Sequence, residues 1–156
     1  MTLRRIKQEW LNLQHDPLLT CSAVPNSEDD MLHWTGTISG PSDTPYCDGV
    51  FHLKIRLPEI YTRVSPELTF TTPIFHPNVS TQGDVQLGEL DRTQWSPVLT
   101  IRTLLLSLQA LLSDPNLSEG CVLNEEAAKL YLDDLKGFEE RARGCTVSHA
   151  MSGGAD

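Results

Sequence analysis

Two sets of residues in this sequence are of types that carry chemistry: the run His76-Pro77-Asn78, and the cysteines Cys21, Cys47, Cys121 and Cys145. A thiolate is nucleophilic near neutral pH and leaves readily, so a cysteine can both accept and release an acyl group. Cys121 stands two residues from Glu119, a carboxylate that could act as its base. An isolated cysteine is otherwise a small buried hydrophobe, and both readings stand for Cys121. The cysteines have no C-x-x-C spacing and no neighbouring pair of histidines, which argues against zinc and against a disulfide framework. They read as free thiols, and no metal or other cofactor is expected. His76 and Asn78 have a structural use as well: a ring and a side-chain amide can satisfy backbone groups where no regular ladder does.

The elements that must position these residues are visible in the hydrophobic pattern. Leu3, Ile6, Trp10 and Leu13 recur at helical spacing until Asp16-Pro17, predicting an opening amphipathic helix whose basic residues point away from its core stripe. Alternation follows in four stretches: Leu19, Cys21 and Ala23; Leu32, Trp34 and Ile38; Phe51, Leu53, Ile55 and Leu57; Leu68 and Phe70. The separators, with Pro25-Asn26-Ser27, Gly40-Pro41-Ser42-Asp43 and Pro58 to Pro66, suit an antiparallel meander. The segment around His76-Pro77-Asn78 is irregular up to Thr100, an N-cap for a helix carrying Leu104, Leu105, Leu108, Leu111 and Leu112 and ended by Asp114-Pro115. Asn124 caps another helix, and Leu135, Phe138 and Ala142 carry a last one to Gly144. The expectation is an α+β fold in one domain, residues 1–145, with 146–156 as a disordered tail.

A chain of 156 residues can bury a core without staples. Its formal charge of −9 makes nucleic acid an unsuitable partner, because phosphate binding needs clustered Lys and Arg. No apolar run is long enough to span a bilayer and the N-terminus lacks a signal-peptide pattern, so a soluble protein of cytosol or nucleus, with no membrane partner, is expected. Three of the twelve basic residues, Arg4, Arg5 and Lys7, make the N-terminus a basic spot, read either as a solvated helix face or as a docking site.

The runs Pro73-Ile74-Phe75-His76-Pro77-Asn78-Val79 and Trp95-Ser96-Pro97-Val98-Leu99-Thr100-Ile101 closely resemble the ubiquitin-conjugating enzymes. So do Cys21-Ser22-Ala23, His33-Trp34, Gly40-Pro41, Pro45-Tyr46 and Gly49-Val50-Phe51, in the same order, over Arg5 to about Arg143. The resemblance implies the family's fold: an N-terminal helix, a four-stranded meander, an irregular active-site segment and C-terminal helices. In that family a cysteine takes ubiquitin as a thioester from an activating enzyme and passes it to a lysine or a ligase. At its position, eight residues past Asn78, this chain has Gln86. A glutamine amide nitrogen is delocalised into its carbonyl and can neither accept nor release an acyl group as a thiolate does. The family's Cys-Leu-Asp-Ile-Leu is replaced by Gln86-Leu87-Gly88-Glu89-Leu90, with one extra residue before Trp95, which favours a naturally inactive variant over a single engineered change.

By resemblance, Asn78 matches an amide donor that supports the active-site loop and helps stabilise an oxyanion. Leu112-Ser113-Asp114-Pro115-Asn116 also matches, and places Cys121 in a loop flanking the active-site groove, as a displaced nucleophile or a plain thiol. Arg4, Arg5 and Lys7 match residues presented to the activating enzyme and to ligases, and Ser96-Pro97 matches a ligase-contacting loop. Where relatives carry Tyr-Pro-Phe, this chain has Tyr61-Thr62-Arg63, putting Arg63 in place of an aromatic anchor whose loss costs a few kcal/mol at an interface. Ser22 matches a position that contacts a second, non-covalent ubiquitin, and is otherwise a solvated strand serine. The implied function is binding, with ubiquitin or a ubiquitin-like protein, an active conjugating enzyme or a ligase assembly as partner. The alternatives are an active transferase, through Cys121 or through a natural cysteine altered at position 86, and an adaptor that has left the ubiquitin system.

Overall fold

Alternation of apolar and polar residues is realised as four strands, β1 (Cys21–Ser27), β2 (Asp30–Ser39), β3 (Val50–Arg56) and β4 (Glu67–Phe70), in a computed structural model that describes residues 2–85, 87, 95–96 and 98–151. The strands pair antiparallel in chain order, a plain meander. Because side chains alternate across a strand, the register stacks Cys21, Ile38 and Phe51 in one inward row. Ala23, Gly36, Leu53 and Phe70 form the next, and Pro25, Trp34, Ile55 and Leu68 the third. Ser22, Thr37 and His52 form one of the outward rows.

Helix α1 (Thr2–His15) and α2 (Ile101–Ser113) pack against β1 and β2 and against each other. Thr100 caps α2 as predicted, its hydroxyl accepting from the Thr103 N–H at 3.1 Å, and Ile101, Leu104, Leu105, Leu108 and Leu112 are buried. Asn124 caps α3 (Glu125–Asp133) in the same way. The last helix, α4 (Leu135–Thr146), buries Phe138, Ala142 and Thr146 at a spacing of four, which leaves Leu135 half exposed. Among the described residues no helix is long and apolar enough to cross a membrane.

Four expectations are corrected. Leu19 lies in the bend before β1 and is fully exposed, since the strand begins at Cys21. In β2 the inward phase is broken near the hairpin, where the register shifts between Pro25 and Ser27, so Met31 is buried and Leu32 only partly so. In α1 the inward stripe gains Glu9 beside Ile6 and Leu13, with Trp10 partly buried against the core, while Leu3 in the first turn is exposed. Finally, ordered structure does not stop at 145: α4 includes Thr146 and continues as a π-helical turn, Val147–Met151, that buries Ala150. Thr146 sits against Gly49, the residue just before β3, where a side chain would collide with the Thr146 methyl group. Residues 152–156 of the expected tail lie outside the described residues.

Candidate functional site

The stretch after β4, up to residue 85, is pinned by short backbone bridges, Thr69 with Asp84, His76 with Val79 and Val79 with Val85. Gly83 adopts φ +95°, and a Cβ there would lie 2.1 Å from the Phe70 carbonyl oxygen. Only glycine fits so close an approach in the left-handed region. Tyr46 closes the base of the segment, donating its buried hydroxyl to the Phe75 carbonyl at 2.6 Å.

His76 is fully buried. Its Nδ1 accepts from the Asn78 N–H at 3.0 Å, which leaves Nε2 as the protonated nitrogen, donating to the Leu111 carbonyl at 2.9 Å. Burial pulls its pKa down to about 4, partly opposed by the Leu111 hydrogen bond, so the ring is neutral at pH 7. Pro77 offers its carbonyl to the N–H groups of Leu123 and Asn124, at 2.9 and 3.1 Å.

Asn78 is fully buried as well. Its Nδ2 donates to the carbonyls of Asn116, at 2.7 Å, and Cys121, at 2.9 Å, and its Oδ1 accepts from the Asn116 N–H at 2.9 Å. An amide nitrogen has two hydrogens, and here both are engaged. As placed, Asn78 has no donor left to aim at an oxyanion; what it does is fasten the loop between α2 and α3 to the segment.

Cys121 is in that loop and half buried, its N–H closing a turn on the Ser118 carbonyl at 3.0 Å. No hydrogen bond links its thiol to Glu119. Beside the loop a groove of about 570 Å³ runs between Leu87 and the end of α2, walled by Leu111, Asp114, Pro115 and Leu117; Cys121 does not line it. Among the described residues no cluster of His, Cys, Asp and Glu is placed to hold a metal ion. Gln86 and Pro97 lie outside the described residues.

The predicted partner-binding residues do not behave as one group. Arg4 and Lys7 are exposed on α1. Arg5 does not point away from the core: Nε donates to the Glu9 carboxylate at 2.8 Å and Nη2 to the Leu99 carbonyl at 3.1 Å. Glu9 draws it in, because a buried carboxylate needs a charged partner. Arg63 is exposed between the half-exposed Ile60 and Val64, while Tyr61 turns inward, its ring 6.0 Å from that of Trp95. Ser96 is half buried and accepts the Leu99 N–H at 2.9 Å. Ser22 is exposed on the outer face of the sheet, with its hydroxyl 2.6 Å from that of Thr37.

Sequence reasoning missed Glu9 and Tyr61. The signal was present in the spacing Ile6, Glu9, Leu13, which puts a carboxylate on the inward stripe, and in Arg5 four residues before it.

The family model described as ubiquitin-conjugating enzyme matches residues 5–146. Those bounds run from within α1 to the last residue of α4, so the match takes in all four strands, α2, α3 and α4 and most of α1, and the chain belongs to the ubiquitin-conjugating enzyme family.

Proposed function

We propose that this chain is a member of the family that works by binding and lacks thioester chemistry. The observation that carries this reading is Gln86, which stands at the position of the family's cysteine and offers no nucleophile. Two features of the site support it. Both amide hydrogens of Asn78 are held by loop carbonyls, and Cys121, the one thiol of the α2–α3 loop, does not line the neighbouring groove. The partners of such a module are ubiquitin or a ubiquitin-like protein, an active conjugating enzyme or a ligase assembly. Arg4, Lys7, Arg63 and Ser96 face a ligase or the activating enzyme, and the outer sheet face around Ser22 meets free ubiquitin non-covalently.

The direct test is incubation with an activating enzyme, ATP and ubiquitin, followed by a search for an adduct that disappears with a thiol reductant. None is expected. A reductant-sensitive adduct overturns the proposal, and its loss in Cys121→Ser would identify Cys121 as the nucleophile. Gln86→Cys alone is expected to charge poorly, because the extra residue before Trp95 alters the spacing and transfer geometry is sensitive to displacements of about 1 Å. Efficient charging of that variant would make an altered active enzyme the better reading.

A further inference from the structure

Glu9 is 4 % exposed, in a helix whose other inward residues are apolar. Three donors from three parts of the chain meet its carboxylate. Oε2 accepts from Arg5 Nε at 2.8 Å and from the Tyr61 hydroxyl at 2.6 Å, and Oε1 accepts from the Ile101 N–H at 2.8 Å. Ile101 is the first residue of α2, so that N–H is one of the donors a helix cannot satisfy internally, at the end where its dipole favours a negative charge. Tyr61 belongs to the 57–66 loop and its ring meets that of Trp95 at a tilt, 6.0 Å between centroids; the Trp95 indole N–H donates to the Thr62 carbonyl at 2.8 Å. Arg5 continues the chain of contacts to the Leu99 carbonyl.

We propose that Glu9 is the positioning residue of the partner-binding face: one buried carboxylate holds α1, the 57–66 loop and the start of α2 in a single arrangement, and Arg5 serves it from within rather than meeting a partner. The importance of this face as a docking surface rests on the binding role proposed above; the positioning itself does not. No neutral residue can take three donors in this way. In Glu9→Gln the amide nitrogen would turn a donor toward Arg5 or Tyr61, and the charge that holds the guanidinium would be gone.

Two indoles make the test possible without any partner. Trp95 reports on the 57–66 loop, and Trp34, buried in the sheet with its N–H on the Met31 carbonyl at 2.8 Å, reports on the fold. In ¹⁵N-labelled Glu9→Gln the Trp34 indole cross-peak is expected to stay in place, while that of Trp95 shifts toward a solvent-exposed position together with the amides of 57–66. Tyr61→Phe, which keeps the ion pair and removes only the hydroxyl, is expected to give a smaller shift of the same peaks, and it decides the matter if Glu9→Gln does not fold. A Trp95 peak unmoved in the folded variant, or in Tyr61→Phe where that variant decides, overturns the proposal. Binding of the activating enzyme is then compared in Arg5→Gln, Glu9→Gln and the double variant. If Arg5 acts through Glu9, the double variant binds no worse than Glu9→Gln alone; additive losses would make Arg5 a direct contact. Failure of the wild-type protein to bind that enzyme would count against the docking role and leave the Trp95 result standing.

Discussion

Asn78 can be replaced only by a residue that serves both sides of its amide. Asn78→Ala leaves the Asn116 N–H and the carbonyls of Asn116 and Cys121 without partners, and about 2–4 kcal/mol of stability should be lost in urea unfolding. Asn78→Asp should be worse, since it removes both donors and points a charge at two carbonyl oxygens. His76 sets a pH dependence. Its folded pKa of about 4 lies below the ordinary 6.5, so the unfolded chain takes up a proton that the folded one refuses. The contribution is complete above pH 6.5 and is lost as pH falls toward 4, about 3 kcal/mol at full extent. Urea titrations across that range should show the loss in the wild-type protein and a flatter profile in His76→Gln. The H-P-N run was legible because its residue types are unusual together. Glu9 was not, because a carboxylate in a helix is ordinarily solvated and only the tertiary contacts of Tyr61 and Ile101 explain its burial.

For the elements, α1 is the instructive case, since one turn carries both solvated cations, Arg4 and Lys7, and a partly buried one, Arg5, held by Glu9. Arg4→Glu with Lys7→Glu should change stability by less than about 0.5 kcal/mol. The same pair should weaken any complex with the activating enzyme, and the wild-type complex should weaken with salt, as charges are screened over about 8 Å at physiological ionic strength. Arg5→Glu should instead cost about 2–4 kcal/mol of stability, by setting a second carboxylate against Glu9. Circular dichroism during urea titration separates the two effects. The caps at Thr100 and Asn124 and the period-two strands could be read in advance because each is a local signal. The phase of β2 at Met31 and Leu32 could not, since it depends on the register shift opposite, between Pro25 and Ser27.

Over the whole molecule, the meander and its helical cover followed from element order, but the C-terminal limit did not. The sequence after Gly144 has no strong apolar period, and Thr146 and Ala150 are small residues whose burial depends on the surfaces they meet. Arg143, which donates to the Cys47 carbonyl, ties α4 to the loop before β3 as well. Truncation after Cys145 is therefore expected to lower stability by about 2 kcal/mol, through the lost burial of Thr146 and Ala150 and the lost Thr146–Ala142 hydrogen bond. A melting temperature unchanged by the truncation would show that 146–151 adds nothing.

The H-P-N clamp has a further consequence for descent. Its hydrogen bonds run to backbone groups of Leu111, Asn116, Cys121, Leu123 and Asn124, none of them a side chain. Whatever stands at position 86, selection for a folded protein alone keeps His76 and Asn78 in place. A lineage that stopped transferring ubiquitin would keep the tripeptide long after its thiol had drifted, so the motif marks ancestry and architecture, and its presence in a genome is no measure of turnover.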